Sequence, residues 1–108
     1  MNKKFGLTAI DLETILSVLK KHIEVEEAIM FGSRAKGDYK NGSDVDLALK
    51  GKLSFETITH INYLLNEETT MPYKFDVLNY HTIQDEDLIE HINRAGICFY
   101  QYSNMPQN

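Results

Sequence analysis

The chain has 108 residues, 43% of them hydrophobic, which is enough for one domain around one modest core. Its 16 acidic and 11 basic side chains leave a formal net charge of −5, which argues against a long nucleic acid as partner because non-specific phosphate binding needs a basic excess. Cys98 is the only cysteine, so neither an internal disulfide nor a cysteine-based zinc site can form. No segment reaches the ~20 apolar residues that span a bilayer, and the first ten residues lack a signal peptide's apolar stretch, so no membrane association and a cytoplasmic location are expected.

Taken in chain order, Ile15, Leu16, Leu19 and Ile23 recur at helical spacing and predict an amphipathic helix over 8–22. Thr8 with Asp11 three residues on reads as its capping box, with Asp in place of the usual Glu or Gln. A strand follows over 25–31, ending in the unbroken apolar run Ala28-Ile29-Met30-Phe31 of a strand buried on both faces, and Gly32 stops it. Ser33 to Gly37 is long enough for about one helical turn, and 38–43, centred on Asn41-Gly42, has loop chemistry.

The segment 44–49 alternates, with Val45, Leu47 and Leu49 on one face and Asp44, Asp46 and Ala48 on the other, as a second strand does. A second core-facing helix is predicted over 54–67 from Phe55, Ile58, Ile61, Leu64 and Leu65. After Pro72, Phe75, Val77 and Leu78 predict a third strand within 73–80, interrupted by Asp76. Thr82 with Asp85 repeats the capping pattern and opens a helix through Leu88, Ile89, Ile92 and Ala95, stopped at Gly96. Residues 97–102 read as a last edge strand, and the polar residues 103–108 as a flexible tail. This order predicts a single α/β (α+β) domain over 1–102, a small mixed sheet flanked by helices.

The chemistry gathers around "FGSRAKGDYKNGSDVDLAL", residues 31 to 49. Residues two apart on a strand share a face, so Asp44 and Asp46 stand close together. Two ionised carboxylates ~4 Å apart at an effective dielectric of ~20 repel by roughly 4 kcal/mol. A shared proton, a basic neighbour, solvent at a strand edge or a divalent cation could offset that. All-oxygen ligands suit a hard ion such as Mg²⁺ shared with a substrate's phosphates. Asp76, on the face opposite Phe75 and Val77, would complete a three-carboxylate set for phosphoryl or nucleotidyl transfer if its strand pairs beside the second one.

Upstream, Gly32 permits close backbone approach, and Ser33 could cap the short helix and hydrogen-bond a phosphate near the free amides of a helix start. Arg34 and Lys36 are candidate contacts to the β and γ phosphates or to pyrophosphate. Two other motifs fail on the same letters. Gly32 and Gly37 begin like a P-loop, but Asp38-Tyr39 stands where Lys-Ser/Thr is needed. A calcium loop from Asp38 would need an acidic or amide residue at Lys40 and a Glu at Leu49. Asp85-Glu86-Asp87 lies in a first helical turn, where carboxylates complement the dipole.

Gly32-Ser33, ten residues, Asp44-x-Asp46, and then Asp76 in "KFDVLNY" resemble the signature of the DNA polymerase β-like nucleotidyltransferase superfamily. Length and the Gly-Ser-Arg-Ala-Lys-Gly wording are similar to its minimal nucleotidyltransferases, the MNT proteins. The resemblance implies a mixed sheet flanked by helices, two Mg²⁺ ions on three acidic residues, and transfer of a nucleoside monophosphate from an NTP, here ATP, to a hydroxyl. It implies that Asp44 and Asp46 hold both metals, that Asp76 holds the catalytic metal and assists the acceptor as a base, and that Gly32 and Ser33 hold the triphosphate. It also implies a helical HEPN toxin as partner, neutralised in some systems by transfer of AMP to a tyrosine.

About 30 residues follow Asp76, too few for a separate acceptor domain of typical size, so an acceptor on another protein is expected. An antitoxin acting by binding alone, and a small-molecule transferase whose acceptor site a partner completes, are the alternatives. Homo- and hetero-oligomers both stay open.

Overall fold

The computed structural model describes residues 4–102, so the expected tail at 103–108 lies outside the described residues. Thr8 accepts a hydrogen bond from the Asp11 amide while the Asp11 carboxylate accepts from the Thr8 amide, and this closed capping box starts α1 (Ala9–Lys20). There follow β1 (Val25–Phe31), the one-turn α2 (Ser33–Lys36), β2 (Val45–Gly51), α3 (Phe55–Glu67), β3 (Phe75–Asn79), a 3₁₀ turn (Tyr80–Thr82), α4 (Glu86–Ala95) and β4 (Ile97–Gln101).

The four strands lie in the order β3-β2-β1-β4. β1 runs antiparallel to both β2 and β4, while β2 and β3 are parallel with α3 as their crossover, so the sheet is mixed as expected. Alternation along each strand sorts its side chains onto two faces. On one face, Ala28, Met30, Val45, Leu47, Leu49, Phe75 and Val77 pack with Ile15, Val18 and Leu19 of α1 and Ile61 and Leu65 of α3. On the other, Ile29, Phe31 and Ala48 pack with Ile92 of α4, bordered by Leu78, Tyr80 and Leu88.

The two sheet edges are finished differently. Asn66 accepts from the Phe75 amide at 2.8 Å and donates to the Phe75 carbonyl at 3.0 Å. Asn62, one turn earlier on α3, does the same for Val77 at 3.2 and 3.1 Å. Two amide side chains thus occupy the backbone groups that a fifth strand would use, which seals the outer edge of β3. β4 forms the opposite edge.

Four local expectations need correction. Phe55 is 81% exposed, because it is the first residue after the Ser54 cap and lies off the apolar stripe that Ile61 and Leu65 continue. Ile23 is 69% exposed in the turn after α1, and Val18 fills the core in its place. The last helix is capped by Asp85, whose side chain accepts from the amides of Asp87 and Leu88, while Thr82 closes the preceding 3₁₀ turn. β2 begins at Val45, so Asp44 stands just before the strand. Among the described residues no helix is long and apolar enough to cross a membrane.

Candidate functional site

The parallel pairing of β2 and β3 sets Asp46 beside Asp76 in register. The Val45 amide, donating to the Lys74 carbonyl at 2.9 Å, fixes that register at the strand starts. On its other side Asp46 is paired with Phe31, the last residue of β1. Asp46 therefore sits on the thinly covered α4 face, between an apolar ring and a second carboxylate. It is half-buried, whereas Asp44 and Asp76 are exposed. Burial pushes its carboxyl above the usual range, the charges of Asp76 and Asp44 push it further, and the Arg34 guanidinium opposes them.

Gly32 is needed here for two separate reasons. Its φ of +76° is one that side-chain-bearing residues rarely adopt. A Cβ at this position would also collide with the Asp46 carboxylate, so the β1–α2 turn passes directly against that group. Gly32 is itself the N-cap of α2 and supplies no side-chain hydrogen bond. Ser33 is thus the first helical residue and not the cap that the sequence pattern implied, and its hydroxyl makes no hydrogen bond among the described residues.

Arg34 does not stand free for a phosphate. It is 3% exposed. Its Nε and Nη2 donate to the Ser43 carbonyl at 3.1 and 2.8 Å and its Nη1 to the Phe5 carbonyl at 2.9 Å. The rings of Tyr73 and Tyr39 lie 4.7 and 5.3 Å from the guanidinium carbon. Its fork is held by two backbone carbonyls and flanked by two aromatic rings, a structural attachment within the fold where the sequence pattern had suggested a phosphate contact. Lys36, by contrast, is exposed and lies 4.0 Å from Asp38 in a weak surface pair, leaving its ammonium accessible to an anion.

Sequence reasoning missed the groups that enclose Arg34. Phe5 (φ 60°) and Gly6 form a tight turn before α1, and a Cβ on Gly6 would strike the Tyr39 ring and approach Arg34 Nη1. Phe5 is a non-glycine residue with positive φ and has no signature in the letters alone.

Among the described residues no three Asp, Glu, His or Cys side chains close to metal-ligand separation; Asp44, Asp46 and Asp76 share one end of the sheet as mutually repelling charges. The donor chemistry fits a hard divalent cation: carboxylate oxygens only, one of them half-buried with its charged form disfavoured. A cation there would offset the repulsion that raises the Asp46 pKa.

A mixed sheet bearing a Gly-Ser turn packed against an Asp-x-Asp strand, with a third Asp in register on the neighbouring strand, is the framework of a nucleotidyltransferase domain. The family model for "Polymerase beta, Nucleotidyltransferase" matches residues 13–105, and the chain belongs to that family. Among solved structures, the fold is similar to that of a toxin-antitoxin with AMP-PNP (TM-score 0.69, 17% identity, 83% of this chain and 73% of that one). It is likewise similar to the toxin-antitoxin MntA-HepT (TM-score 0.66, 14% identity, 88% and 74%). A third is a tri-AMPylated Shewanella oneidensis HEPN toxin in complex with MNT antitoxin (TM-score 0.65, 14% identity, 86% and 71%). No curated protein matches the chain.

Proposed function

We propose that the protein is a Mg²⁺- and ATP-dependent nucleotidyltransferase that moves AMP to a hydroxyl of a HEPN-type partner, as the antitoxin of that pair. The observation that carries this reading is the in-register pairing of Asp46 with Asp76 beneath Gly32, in a chain whose family transfers nucleotides. The choice of partner rests on the HEPN toxin that the similar MNT antitoxin binds.

In this reaction the acceptor hydroxyl oxygen bonds to the α-phosphorus, the bond from that phosphorus to the α–β bridging oxygen breaks, and pyrophosphate leaves. Bound metal, with Asp44, Asp46 and Asp76 as the residues to hold it and two ions as the proposed number, supplies charge stabilisation for the triphosphate. The exposed Asp76 takes the hydroxyl proton. The small Gly32 leaves backbone open to the triphosphate, Ser33 offers it a free hydroxyl, and Lys36 offers a mobile cation at the open end of α2.

The test is incubation of a co-expressed HEPN-type protein with α-labelled ATP and Mg²⁺. Wild-type protein labels the partner, and Asp44→Asn and Asp46→Asn do not. Full labelling by both variants would falsify the assignment. Protection from toxicity by an inactive Asp46→Asn protein would show that binding alone suffices.

A further inference from the structure

We infer that Arg34 is the positioning residue of this site, holding the Asp44 and Asp76 lead-ins at a fixed place relative to the Gly32-Ser33 turn. The inference rests on the nucleotidyltransferase reading of the carboxylates and assigns Arg34 a task in it other than binding phosphate.

Arg34 leaves the chain one residue after Ser33, and its fork holds the carbonyl of Ser43, the residue immediately before Asp44. One planar group thus closes the ten-residue loop between the two halves of the motif. Its third hydrogen bond, to Phe5, anchors the same group to the turn that precedes α1. Tyr73 lies over one part of the guanidinium and donates through its hydroxyl to Asp11, the capping carboxylate of α1. Tyr73 also leads, through Lys74, into the strand bearing Asp76, and the Lys74 carbonyl accepts from Val45 between Asp44 and Asp46. The lead-ins of Asp44 and Asp76 therefore converge on a single buried cation. A lysine could supply the charge but not a planar fork that holds one carbonyl with two donors and another with a third. Displacement of reacting groups by about 1 Å costs on the order of 100-fold in rate, so the geometry that Arg34 fixes matters to transfer even though it touches no reacting atom.

Two variants separate positioning from charge. Arg34→Lys keeps the cation and loses the fork, while Arg34→Met loses both. Mn²⁺ binding is measured by the fall in the free-ion electron paramagnetic resonance signal, and AMP transfer by kcat and KM for ATP, both well below each variant's own Tm. Electrostatics alone predicts that removing a positive charge near three carboxylates tightens cation binding. Positioning predicts the opposite sign: Mn²⁺ affinity falls about tenfold in both variants, and kcat drops on the order of 100-fold with KM for ATP changed little. Mn²⁺ binding that is unchanged in Arg34→Lys, or tighter in Arg34→Met, overturns the proposal, as does a rise in KM for ATP at constant kcat. If Arg34→Met does not fold, Arg34→Lys carries the test alone. Wild-type protein that neither binds Mn²⁺ nor transfers AMP overturns the reading of the site and this proposal with it, an outcome distinct from a competent wild type with competent variants.

Discussion

The two faces of the sheet come from the same strands and are put to opposite uses. The α1/α3 face takes Val45, Leu47, Leu49, Phe75 and Val77 into a continuous apolar core. Among the described residues the α4 face takes the intervening positions and buries only Ile29, Phe31, Ala48 and Ile92, leaving Asp46 and Asp76 at the less covered end of the same two strands. A sheet with one fully covered face can leave a half-buried, repelling carboxylate pair on the other, because the first face carries the stability.

The sharpest way to break this comparison is Asp46→Asn. Transfer should fall at least 1,000-fold, about 4 kcal/mol in the barrier, while the metal-free protein becomes more stable. The sign follows from the raised Asp46 pKa. Its contribution to stability is present below the unfolded carboxyl pKa and is lost as pH rises through the higher folded value. Wild type without metal should therefore lose Tm relative to the variant as pH rises through that window, and Mg²⁺ should restore it. A Tm difference flat with pH would contradict this.

On the covered face, Leu47→Ala removes a fully buried side chain and should cost about 2–5 kcal/mol in urea unfolding. Activity per folded molecule should be retained. Gly32→Ala acts in the other direction. Its positive φ and the collision with Asp46 should lower kcat on the order of 100-fold, about 2.7 kcal/mol, by displacing the carboxylate. Normal kcat in this variant would mean that the turn does not set the position of Asp46. The smallest effect is expected for Asn66→Ala, which leaves the outer amide and carbonyl of Phe75 without their protein partner. It should cost about 1–2 kcal/mol, and native mass spectrometry should detect association through the unsealed β3 edge.

Much of this division was legible in the letters. The Thr8/Asp11 capping box, the alternation in 44–49 and the opposed faces of Asp76 and Phe75 are local patterns, each fixed by residues a few positions apart. The pairing of β2 with β3 was not legible in the same way, because adjacency of two strands is set by the packing of the intervening α3. Arg34 shows the limit most clearly. Beside Gly32-Ser33 its charge pointed to phosphate, yet its burial depends on Phe5, 29 positions away, and Ser43, nine positions away. Asn62 and Asn66 likewise read as polar positions on a helix, and only the edge of β3 gives them a task.

The strand register, more than the motif, ties Asp76 to the site. The most direct measurement is therefore transfer of α-labelled AMP to the HEPN-type partner by Asp76→Asn, with Asp85→Asn as a control carboxylate outside the site. The account predicts that Asp76→Asn leaves the partner unlabelled while Asp85→Asn labels it as wild type does. Equal labelling by Asp76→Asn and wild type would contradict it.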